Sequence, residues 1–200
     1  MKDLRLSRRQ LLKGAGAVGV LGALGIPTTV FADGNRIRWD LIHIDFKIPA
    51  FSKGGILSAH AEGESKITLT GSGTFSPGDD EVTGGGTWKT FTAAGASTGS
   101  GTYKAQGLVS WDKAPGALPP NFVDNIGKLA DTSAGLALLK IRYSDGSRGV
   151  LTISCNLGVG AIFEGVTATK GYVDYFMPEP IIPKPPTTER TIFHIMSSED

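Results

Sequence analysis

Apolar and polar positions alternate with period two over most of the chain beyond residue 35. Ile42, Ile44, Phe46 and Ile48 alternate with His43, Asp45 and Lys47, which predicts a half-buried strand, because successive side chains of an extended chain point to opposite faces. Just upstream, Ile37, Trp39 and Leu41 are apolar in the opposite phase, a change that the extra residue of a β-bulge would produce. Further strands are predicted over 56–62, 66–75, 86–93, 102–111, 136–144, 149–156, 162–176 and 190–196, about nine in all. Ser144-Asp145-Gly146-Ser147 separates two of them and is a strong hairpin signal, since Asp-Gly accepts positive φ. Its arms would bury Leu139, Ile141 and Tyr143 against Leu151, Ile153 and Cys155. Only residues 118–131 carry a helical period, with Phe122, Ile126 and Leu129 after Pro119-Pro120, and Gly127 weakens even that.

One motif repeats: Thr70-Gly71-Ser72-Gly73-Thr74-Phe75, Thr83-Gly84-Gly85-Gly86-Thr87-Trp88 and Thr98-Gly99-Ser100-Gly101-Thr102-Tyr103. The short spacing suits hairpins of a meander, not the longer units of a solenoid. Glycines inside strands mark bends, and the aromatic that follows fills the space they leave, so Phe75, Trp88 and Tyr103 are expected in equivalent core positions. Near the end, Pro178, Pro180, Pro183, Pro185 and Pro186 form an extended connection. The apolar run from Ile192 to Met196 then reads as a last strand returning to the sheet.

The first 32 residues differ in kind. Ser7-Arg8-Arg9-Gln10-Leu11-Leu12-Lys13 resembles the twin-arginine translocation motif, followed by a glycine-diluted apolar stretch from Gly14 to Ile26 and a helix-stopping Pro27. Val30-Phe31-Ala32 presents a small residue for cleavage before Asp33. Thirteen residues from Gly14 to Ile26 fall short of the roughly 20 that a membrane span needs, so no stable anchor is expected. The domain division is therefore a signal peptide over 1–32 and an all-β domain over 33–200, exported to the periplasm or the exterior, with the translocase as the signal's partner.

Removing the signal changes the charge. Residues 33–200 keep 15 of the 20 Lys+Arg and 18 of the 19 Asp+Glu, a formal net charge of −3, which argues against a nucleic-acid or other polyanion binder. They also keep 23 of the 28 glycines, about twice the average usage, as turns and β-structure require. The lone Cys155 cannot form an internal bridge.

Candidate chemistry is sparse. Gly95-Ala96-Ser97-Thr98-Gly99 fits the nucleophile pattern of α/β-hydrolases, with Asp112 and His194 following, but a strand pattern stands where the helix after the serine is needed. The Gly-x-Gly pairs lack the third glycine and the helix of a nucleotide site. Asp79-Asp80-Glu81 lacks the spacing of a calcium loop. His43 with Asp45 and His60 with Glu62 each share a strand face, and a hairpin setting His43 against His60 would gather two imidazoles and two carboxylates, a ligand set for zinc, copper or iron. The same alternation also describes the wet face of a two-stranded ribbon, the preferred reading. No cofactor is expected.

The segment Ile162-Phe163-Glu164-Gly165-Val166-Thr167-Ala168-Thr169-Lys170-Gly171-Tyr172, with the upstream Gly-x-Gly-Thr-aromatic strands, resembles the closing strands of dirigent and allene oxide cyclase-like barrels. No catalytic residue of that superfamily can be placed. The chain as a whole resembles exported bacterial all-β proteins that begin with a twin-arginine signal. The expected fold is all-β, a single antiparallel barrel or sandwich of about eight to ten strands with one short helix. Two functions compete. One is a non-catalytic module binding a small apolar molecule or a protein partner; the other is a cofactor-free isomerase or cyclase in a barrel mouth, with Tyr103, Glu164, Tyr172 and His194 as ligand-binding or acid–base groups.

Replacing both Arg8 and Arg9 with Lys should abolish export, because a guanidinium pair is read differently from two ammonium charges. Mass spectrometry of the exported wild type should show an N-terminus within a few residues of Asp33. Full-length wild-type chain in the membrane fraction would contradict the cleavage, and export of the double-lysine variant would contradict the reading of the arginine pair.

Overall fold

Alternation becomes strand nearly everywhere it occurs. In the computed structural model, which describes residues 36–78, 81–158, 162–180 and 187–196, the strands in chain order are β1 (Arg36–Asp45), β2 (Ala50–Lys53), β3 (Leu57–His60), β4 (Lys66–Leu69), β5 (Ser72–Phe75), β6 (Val82–Phe91), β7 (Ser97–Ala114), β8 (Val123–Asp124), β9 (Thr132–Tyr143), β10 (Arg148–Cys155), β11 (Gly165–Lys170), β12 (Val173–Tyr175), β13 (Met177–Pro178) and β14 (Thr187–Met196). Several expected strands are cut in two. The run over 66–75 breaks at Thr70-Gly71 into β4 and β5, which follow one another along β6. The run over 162–176 holds β11, a turn at Gly171-Tyr172, and β12.

Six strands close an antiparallel barrel in the cyclic order β1, β14, β9, β7, β6, β5. Between barrel and sandwich, the fold is the barrel. The C-terminal strand makes the closure: β14 pairs with β1 from Arg36↔Met196 to Asp45↔Thr187, and reaches β9 through Phe193↔Ser133 and His194↔Thr132. Beyond the barrel, β10, β11 and β12 extend the sheet from β9, and β4, β3 and β13 extend it from β6. Phe176 alone separates β12 from β13, so these two extensions meet through the chain.

The Asp145-Gly146 hairpin forms between β9 and β10 with Arg142 opposite Arg148. Only Gly146 takes positive φ, at 89°; Gly146 N–H bonds to Tyr143 O and Tyr143 N–H to Ser147 O, a three-residue loop with the glycine in the left-handed position. All six predicted arm residues are buried.

Aromatic rings fill the interior. Phe75, Trp111 and Phe193 form one cluster, with centroids 4.6 Å apart for Trp111–Phe193 and 5.5 Å for Phe75–Trp111. Trp88, Tyr103 and Tyr143 form another, with Trp88–Tyr143 at 5.7 Å and Tyr103–Tyr143 at 6.2 Å. Such pairs contribute about 0.5–1.5 kcal/mol each beyond the area they bury. Phe75, Trp88 and Tyr103 are all core residues, but their positions are not equivalent, since Phe75 belongs to one cluster and Trp88 and Tyr103 to the other. Glycines of neighbouring strands make room for the rings. A Cβ on Gly99 or Gly101 would crowd Trp88, one on Gly71 or Gly73 would crowd Trp39, and one on Gly135 would overlap the ring of Trp111.

Two sequence expectations are corrected. The phase change in β1 is not a bulge, because its register with β14 is unbroken; instead both faces of β1 are buried, so Leu41 and Ile42 are both core residues. The register shifts lie in β7, between Ala105 and Gly107 and between Leu108 and Ser110. They keep Ala105, Leu108 and Trp111 opposite Ile141, Leu139 and Ala137, all buried but Leu108, which is half-buried against the core. The helix expected over 118–131 is also absent: among the described residues there is no α-helix, only β8 and a 3-10 turn over Leu129–Asp131. Asp124 explains this by accepting the N–H groups of Ile126 and Gly127 itself, which competes with helical bonding. The apolar stripe keeps its job, since Phe122, Ile126 and Leu129 still pack on the core.

Candidate functional site

The sequence-predicted residues do not converge. Tyr103 is buried and donates its hydroxyl to Thr70 O at 2.9 Å. Burial pushes its phenol far above the ordinary value, so it is a neutral donor bracing β7 to the β4–β5 break. Glu164 accepts from Thr191 N at 2.8 Å and Thr191 Oγ1 at 3.0 Å with one oxygen, and from Asn156 N at 2.6 Å with the other. Burial raises its carboxyl pKa against the lowering effect of those donors. It ties the β10–β11 connection to β14. Tyr172 stands fully exposed on the β11–β12 turn.

His194 sits elsewhere again, in a largely buried polar row on the face of the β1–β14 ribbon opposite Trp39 and Phe193. Its Nε2 lies 2.8 Å from Asp124 Oδ2, with the two side chains 3% and 1% exposed. Arg38, opposite His194 across the ribbon, grips the fully buried Asp40 with Nε at 2.6 Å and a terminal nitrogen at 3.0 Å. Residues 115–131, the connection from β7 to β9 that carries Asp124 on β8, form a strap over the His194 end of this row, and a Cβ on Gly127 would press on the His194 ring. His194 Nδ1 is buried without a hydrogen-bond partner.

The metal constellation does not assemble. Its required hairpin pairs β1 with β2, not β3, because the turn falls over residues 46–49; His43 therefore faces Ser52 on one side and Glu189 on the other. His60 on β3 stands opposite Lys66 and Met177. His43 Nδ1 engages Glu189 at 2.7 Å, Asp45 accepts Lys47 N–H in the turn, His60 lies 3.6 Å from Glu64, and Glu62 is exposed in the β3–β4 turn. Among the described residues no group of three or more His, Cys, Asp or Glu is placed to hold a metal ion.

What sequence reading missed lies on the outer face of β7, β9 and β10. Lys104 is the Cα partner of Arg142, and Arg142 that of Arg148, so three cations stand in a row across three strands, with Lys140 two residues along β9. All four are exposed. Like charges directly opposed destabilise a sheet, and among the described residues none of the four has an ion-pair partner. The nearby Asp145 is already taken by Lys170, whose ammonium also lies over the rings of Trp88 and Tyr143 at 4.2 and 5.1 Å; that pairing, with Ser147, lowers the Asp145 pKa to about 2. Two adjoining grooves of about 280 and 350 Å³ share Gln106 and Arg142 as lining. The signal was available only in register: each cation alternates with a core residue, but net charge conceals which strands stand side by side.

Comparison with known proteins adds one match. Residues 5–25, which hold Arg8 and Arg9 and lie outside the described residues, match the twin-arginine translocation pathway signal sequence. No curated protein and no solved structure matches the chain. The protein is therefore exported by the twin-arginine route. Among the described residues no helix is long and apolar enough to cross a membrane.

The Asp124–His194 pair is expected to be structural. His194→Ala should lower unfolding stability by about 3–5 kcal/mol, because it strands the Asp124 carboxylate in a sealed site. Urea denaturation measures this, and a loss within about 0.5 kcal/mol, typical of surface changes, would place the pair outside the stabilising framework.

Proposed function

We propose that the exported chain, cut before Asp33, is a non-catalytic binding module that acts outside the cytoplasm through the outer face of its barrel. The observation carrying this reading is the packed interior. Trp39, Tyr103, Tyr143, Phe75 and Phe193, all on barrel strands, are essentially fully buried, so the barrel centre is occupied by the protein's own side chains. The acid–base candidates Tyr103, Glu164 and His194 are each held by separate internal partners, and Tyr172 faces solvent alone. Export as a folded unit suits such a module, whose surface is complete once the barrel has closed.

A second reading, the cofactor-free isomerase or cyclase, has one observation in its favour. His194 holds an unpartnered Nδ1 beside the Asp124 carboxylate, the arrangement that orients an imidazole base. Against it stands access, since the pair is sealed.

Mass spectrometry of small molecules decides between them. Extracellular and envelope extracts incubated with the exported protein should show no time-dependent conversion of any component. A conversion that the protein drives, and that His194→Gln or Glu164→Gln abolishes while the fold persists, would establish the enzyme and end the binding-module reading.

A further inference from the structure

The cationic row has no structural task. Lysines on sheet edges guard against aggregation, but β7 and β9 are interior strands paired on both sides, and β10 is paired on both sides by β9 and β11. Opposed cations there cost stability and gain no internal partner. The arrangement therefore asks for an anion from outside.

We infer that this face binds an acidic polysaccharide, a chain with one carboxylate per sugar or per few sugars, laid across Lys104, Arg142 and Arg148. The inference rests on the binding-module reading above and names its ligand. Neighbouring strands are about 4.8 Å apart, so the row presents cations over roughly 10 Å, with Lys140 displaced by about 7 Å along β9. That is an extended ligand's footprint and exceeds what one small anion can satisfy. Gln106 is thrown outward at the first register shift of β7 and lines both grooves; its amide both donates and accepts, which suits sugar hydroxyls between charged groups. Gly171 N–H bonds to Arg148 O at 3.0 Å, so the turn that carries the fully exposed Tyr172 lies beside Arg148.

Other polyanions fit less well. Single-stranded nucleic acid calls for exposed aromatic platforms along the groove, and the two rings that line it, Tyr103 and Tyr143, are buried. The net charge of −3 beyond residue 32 opposes every polyanion at long range, an acidic polysaccharide included; the local cation row acts over about a Debye length, roughly 10 Å at 0.1 M salt. An anionic membrane is a broad surface, and the row lines recessed grooves.

Isothermal titration of the exported protein with four probes tests this: polygalacturonate, neutral dextran, single-stranded DNA and phosphatidylglycerol vesicles. Polygalacturonate should bind, weaken as NaCl rises from about 0.05 to about 0.5 M, and bind Arg142→Gln/Arg148→Gln at least about tenfold more weakly. That double variant should melt at the wild-type temperature or higher, since it removes opposed charges. Absence of polygalacturonate binding, equal binding of dextran, tighter binding of DNA or vesicles, or unchanged affinity in the double variant would each overturn the inference. None of these results touches the binding-module reading, which fails only on protein-driven conversion in the extract experiment.

Discussion

Large aromatic rings can close a narrow barrel only where the neighbouring strand has no side chain to obstruct them. That steric bargain runs through this protein. Trp39 lies against Gly71 and Gly73, Trp88 against Gly99 and Gly101, and Trp111 against Gly135. Each glycine weakens its strand by roughly 0.5–1 kcal/mol in backbone entropy, and the seated ring more than offsets this by burying about 150–250 Å². The repeated Thr-Gly-x-Gly-Thr-aromatic pattern is the sequence form of the same bargain, with threonines adding cross-strand hydroxyl bonds such as Thr70–Thr87 at 2.7 Å and Thr74–Thr83 at 2.8 Å.

A filled centre dictates where anything else can happen. Polar groups admitted to the interior or sealed beneath the strap serve the framework: Glu164 joins β14 to the β10–β11 connection, and the Asp40, Arg38, Asp124 and His194 row pins the strap over the β1–β14 ribbon. Lys170 rests on Trp88 and Tyr143 and pairs with Asp145. These charges are spent internally. The four cations on β7 and β9–β10 are not, and they lie on the outside, where an exported domain meets its surroundings.

Local order was legible and lateral order was not. The hairpin at Gly146, the buried arms around it and the returning strand after the proline-rich connection follow from period-two alternation and turn chemistry alone. The stripe of Phe122, Ile126 and Leu129 correctly marked contact residues, yet its helical spacing misled because Asp124 captures the local N–H groups. The change of phase at Leu41-Ile42 looked like a bulge when it records burial of both faces of β1. His43 and His60 failed to meet because the four-residue segment β2 inserts itself as β1's hairpin arm. The cationic row depends on which strands neighbour each other, and Lys104 and Arg142 are far apart in sequence.

The seating of rings over glycines is tested most directly by a double-mutant cycle between Gly135 and Trp111. Gly135→Ala places a methyl group where the Trp111 ring now lies, so it should destabilise the wild-type protein but do so far less in a Trp111→Leu background. Unfolding free energies from urea titration of the four proteins should give a coupling of at least about 1 kcal/mol. Additive effects, within about 0.3–0.5 kcal/mol, would show that the glycine does not exist to seat the ring.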